Sequence, residues 1–77
     1  MDAETRNRYA IRCIVVTTQS GMANIARMYR DDPETRDRLQ DATLARGNAL
    51  LNALEDDRML SPELLNVLRA ARTALAG

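Results

Sequence analysis

Two prolines divide this chain, and each stands directly behind a helix-capping residue. Asp32-Pro33-Glu34 and Ser61-Pro62-Glu63 place a side-chain acceptor at the N-cap, proline at the first helical position and an acid in the first turn. Proline also steers the residue before it away from helical geometry. The chain is therefore predicted to be all-α, with helices over about 3–30, 33–58 and 62–75 in a single domain, 1–77.

The periodicity inside each segment supports this division. In the first, Ala10, Ile11, Ile14, Val15, Met22, Ile25, Ala26, Met28 and Tyr29 recur mostly at spacings of three and four, which marks a broad apolar helical face. Asp2–Arg6 and Glu4–Arg8 are acid-before-base pairs one turn apart. The run Ile14-Val15-Val16-Thr17-Thr18 is β-branched throughout, and Ser20-Gly21 follows it. One helix, continuous or kinked at Gly21, two separate helices and a short strand are the alternatives, the strand ranking last because its edges would have no partner.

The second segment presents Leu39, Ala42, Thr43, Leu44, Gly47, Leu50, Leu51 and Leu54 on one side, with Asp32–Arg36 and Glu34–Arg38 pairing its first turns. Gly47 costs about 1 kcal/mol in a helix interior relative to alanine, so it marks either a close helix crossing or a tolerated defect. The third segment, with Leu64, Leu65, Val67, Leu68, Ala71 and Leu75, is too short to be stable alone and must pack on the others. Met59 or Leu60 leads into it.

A chain of 77 residues has little core to rely on. Its single cysteine, Cys13, rules out an intrachain disulfide, and the lack of histidine removes the usual zinc-ligand sets. A partner subunit is the remaining source of stability. Helices of ~25 residues span ~38 Å, whereas a compact globule of this length has a radius of gyration of roughly 11–12 Å. A long hairpin with a short third helix would leave part of its apolar stripe bare, and pairing two hairpins into a dimeric helical bundle would cover it.

Charge points the same way. Eleven arginines balance eleven acids, so there is no global attraction for nucleic acid. Residues 1–30 carry net +3 and residues 31–60 net −4, which favours antiparallel packing of the first two segments. Arg6, Arg8 and Arg12 form a short basic stripe, but only Tyr9 and Tyr29 are aromatic, so bases would find no stacking platform.

Catalysis fails on inventory: no histidine can act as general base and no lysine can form a Schiff base. Cys13 reads as a buried structural thiol. The clusters Asp31-Asp32-Glu34 and Glu55-Asp56-Asp57 lack the alternating loop pattern of a hard-cation site and read as solvated helix ends, with Arg58 offsetting the second. Met22, Met28 and Met59 read as core filler.

The expected function is a small non-enzymatic protein–protein interaction module, a regulator, inhibitor or adaptor acting as a homodimer. The alternative is a structural subunit or chaperone of a larger bacterial or phage assembly. Ile11, Ile14, Val15, Met22, Ile25, Met28 and Tyr29 are the expected interface, and Arg27 and Arg30 face an unidentified protein partner. No cofactor or metal is expected. With neither a signal peptide nor an apolar run near the roughly 20 residues of a membrane span, the expected location is cytoplasmic.

Overall fold

In the computed structural model, which describes residues 2–57 and 59–77, three helices follow one another: α1 (Ala3–Met28), α2 (Pro33–Asp57) and α3 (Pro62–Ala76). Each begins on a side-chain cap. The backbone N–H of Thr5 donates to Asp2, that of Thr35 to Asp32 and that of Leu64 to Ser61. The two proline signatures thus start α2 and α3. The end expected for the second helix at residue 58, and the offset by Arg58, lie outside the described residues.

α1 runs without interruption through the β-branched stretch and Gly21, so neither the strand nor the two-helix alternative holds. Packing outweighs the weak helix preference of Ile14–Thr18, because that stretch lies against both other helices. α1 stops at Met28, two residues short of the expected end, with Tyr29 as C-cap donating to the Ile25 carbonyl. A second bond, from the Asp32 N–H to the Tyr29 carbonyl, closes the turn into α2.

α2 returns antiparallel to α1. Gly47 is buried where they cross: a Cβ built there would lie 2.6 Å from Thr18 Oγ1 and 3.0 Å from its Cγ2. Gly47 is therefore the close-crossing glycine, and no side chain fits between it and Thr18. Farther along, the Gln40 side chain donates to the Met22 carbonyl at 3.0 Å and ties the helices together beyond the crossing.

α3 lies beside the first half of α1 and runs parallel to it. Ser61 Oγ donates to Glu4 at its start, and Val67, Ala70 and Ala71 come beside Arg8, Ile11, Arg12, Val15 and Val16. Arg72 reaches from α3 to α2, donating to Asn52 at 2.7 Å and Glu55 at 2.8 Å. The core forms where all three helices meet: Ile11, Leu51, Leu68, Ala71 and Leu75 are buried, and Ile14, Val15, Leu44, Leu54, Leu60 and Val67 pack around them.

The expectation that methionines fill the core needs correction. Met28 is 71% exposed and Met59 fully so; only Met22 is half-buried, and the core is built from leucine, isoleucine and alanine. Among the described residues the ion pairs are Arg36–Asp37 within α2 and Arg72–Glu55 between α2 and α3, so none joins α1 to α2. The antiparallel packing that the opposite charges favour is present, and small side chains form its contact.

The molecule measures 45 × 20 × 17 Å, with a radius of gyration of 14.0 Å. That exceeds the roughly 11–12 Å of a compact chain of this length. The excess is the part of the hairpin beyond α3, where α1 and α2 have only each other.

Candidate functional site

Opposite α3, between α1 and α2, lies an open groove of about 420 Å³. From α1 it is lined by Cys13, Ile14, Thr17, Thr18 and Gly21, and from α2 by Thr43, Arg46, Gly47 and Leu50. Its depth follows from its residue types. Glycines and threonines let the two backbones approach, and their short side chains leave the space above the crossing empty. At Gly21 even a methyl group would have room, its nearest neighbour being Thr43 Cγ2 at 3.5 Å.

Helical spacing extends this surface in both directions. Ala10, Cys13, Thr17, Gly21, Asn24 and Met28 recur at three and four along α1, as do Leu39, Thr43, Arg46, Leu50 and Ala53 along α2. Among these positions Arg46 carries the one charge. Asp37, Asp41 and Glu55 fall on the other side of α2, where Glu55 meets Arg72. Leu50 stands 48% exposed on the groove wall.

Cys13 is half-buried in this groove rather than sealed in the core, which corrects the expectation of a buried thiol. Tyr9, one turn earlier and 64% exposed, meets it. The hydrogen bond with the Cys13 side chain, and secondarily its charge, holds the Tyr9 phenol above its ordinary value.

A second groove of about 350 Å³ separates α1 from α3 and differs in character, since Arg8 and Arg12 flank its apolar floor of Val15, Val16, Val67 and Ala70.

The residues expected to form an interface are dispersed. Ile11 belongs to the intrachain core, and Ile14 and Val15 pack against it. Met22, Ile25 and Tyr29 are half-buried along the hairpin, and Met28 is the exposed member of the set. Arg27 is exposed and donates to Asn24 within α1; Arg30 is exposed at the turn. Ile14 also lines the groove and Met28 lies on its extension, while the rest of the set faces α2, α3 or the turn; Thr17, Gly21, Thr43 and Leu50 complete the groove wall. A run of uncharged small residues at helical spacing was the signal for it.

Among the described residues no group of acids and cysteine is placed to hold a metal ion, and no helix is long and apolar enough to cross a membrane. Comparison with protein-family models, with curated proteins and with solved structures finds no match to this chain.

Proposed function

We propose that this chain is a small, non-enzymatic helical interaction module, a regulator, inhibitor or adaptor that works as a homodimer. The observation that carries the reading is its surface. The chain exposes 5534 Å², about 800 Å² more than the ~4,700 Å² expected of a folded monomer of this mass. A standard interface removes about 800 Å² from each partner. The surplus is thus the size of one protomer's share, and it lies along a hairpin only half covered by α3.

The action of such a module is steric: it occupies a surface of its target and excludes competitors. Exposed Met28, Arg27 and Arg30 at the turn end suit that contact, since methionine repacks easily and arginine anchors well. The same exposed end favours a second reading, in which neighbouring chains of a larger bacterial or phage assembly complete the bundle.

Sedimentation equilibrium over a wide concentration range tests the dimer. A mass of twice the 8.6 kDa chain supports it, and 8.6 kDa at every concentration refutes it. Affinity purification from the source cells separates the two readings: one stoichiometric target supports the regulator, and a multi-protein machine the assembly subunit.

A further inference from the structure

We infer that the α1–α2 groove opposite α3 is the seam of the homodimer, occupied by the same face of a second copy. This rests on the dimeric reading above and specifies where the two chains meet. A two-fold interface sets one surface patch against itself, so a patch whose charges all have one sign gathers twice that number of like charges at the seam. That condition separates the two grooves. The α1–α3 groove carries Arg8 and Arg12, so self-pairing there would gather four arginines at one seam. The α1–α2 groove carries Arg46 alone, among Cys13, Thr17, Gly21, Thr43 and Leu50.

Area and shape agree with this choice. The strip from Ala10 to Asn24 and from Leu39 to Ala53, which carries Arg46 as its one charge, runs about 21 Å along each helix at 1.5 Å per residue. The surplus of about 800 Å² over a folded monomer of this mass equals the share that a standard interface takes from each partner, and no residue of α3 lines this groove. Leu50 stands half exposed on the groove wall, and the void above Gly21 and Gly47 can receive a side chain of that size. The product is a four-helix core of two α1–α2 hairpins, with each α3 on the outside.

The test uses the full chain and three variants whose positions are exposed, so that each can fold. Thr17→Arg and Leu50→Arg place charge in the groove, and Val16→Arg places it in the α1–α3 groove as a control. Sedimentation and far-UV circular dichroism are read together. The expected result is a wild-type dimer, loss of the dimer in both groove variants with helicity retained, and a dimeric control. A second readout needs no substitution: N-ethylmaleimide labelling of Cys13 in the wild type should slow as concentration rises, in step with the mass. A wild-type dimer whose mass survives Thr17→Arg and Leu50→Arg, with Cys13 labelled equally fast at all concentrations, overturns the seam but leaves the dimer standing. A wild-type chain that stays at 8.6 kDa overturns both.

Discussion

Replacing Gly47 with alanine sets two effects of similar size against each other, and the structure decides between them. In an open helix the change is stabilising, by about 1 kcal/mol. Here the added methyl would lie 2.6 Å from Thr18 Oγ1, 3.0 Å from Cγ2 and 3.3 Å from Cβ. Unstrained carbon contacts begin at about 3.5 Å, so the shortfall approaches 1 Å. Rotating Thr18 brings no relief, because its Cβ is itself too close and the residue is buried. The helices must separate, and overpacking of this kind costs about 1–3 kcal/mol. The net expectation is a loss of up to about 2 kcal/mol, or a fall in Tm of up to roughly 16 °C for a domain of this size. Thermal unfolding at fixed protein concentration measures it. Adding Thr18→Ala removes Oγ1 and Cγ2, the two closest atoms, and leaves only the milder 3.3 Å contact with Cβ, so the double-mutant cycle should show a coupling of about 1–2 kcal/mol. A Gly47→Ala variant more stable than wild type, or a cycle with no coupling, would refute the close-crossing argument.

Gly21→Ala should behave in the opposite way, because its methyl meets Thr43 at an ordinary 3.5 Å; urea unfolding of the dilute protein should show a gain of up to about 1 kcal/mol. Leu68 is fully buried at the meeting of three helices, and Leu68→Ala should cost about 2–5 kcal/mol in urea unfolding, most of the reserve of so short a chain. A loss under about 1 kcal/mol would mean that α3 is not docked as described. Asp2 and Asp32 are both held below their ordinary value of 3.8, chiefly by hydrogen bonds from Thr5 and Thr35. Their stabilisation is full above that value and is lost as pH falls through the lowered one. Tm should therefore fall between about pH 5 and pH 2, and Asp32→Asn, which keeps a cap but cannot titrate, should fall less over that window.

Helix positions were legible because their determinants are local. Asp32-Pro33 and Ser61-Pro62 act within a single turn, and the caps at Asp32 and Ser61 sit where those signatures put them. The continuity of α1 was not legible, since Gly21 and the β-branched run weaken a helix locally and only contact with α2 and α3 restores it. Gly47 could be seen as exceptional, but Thr18 as its counterpart depends on the register of two helices. The candidate surface stayed hidden for a related reason. Apolar periodicity finds the faces a chain buries within itself, as Ile11 shows, and Thr17 and Gly21 carry little hydrophobic signal.

The parallel alignment of α3 with only the first half of α1 divides the molecule in time as well as in space. Amides near Ile11 and Leu51 are enclosed by three helices and can exchange with solvent only when the whole fold opens. Those of residues 22–28 and 33–40 rest on a two-helix layer fastened by the Gln40–Met22 bond, and a local separation at the turn frees them first. Hydrogen exchange should therefore spread from the turn toward the termini, the reverse of the usual fraying from chain ends.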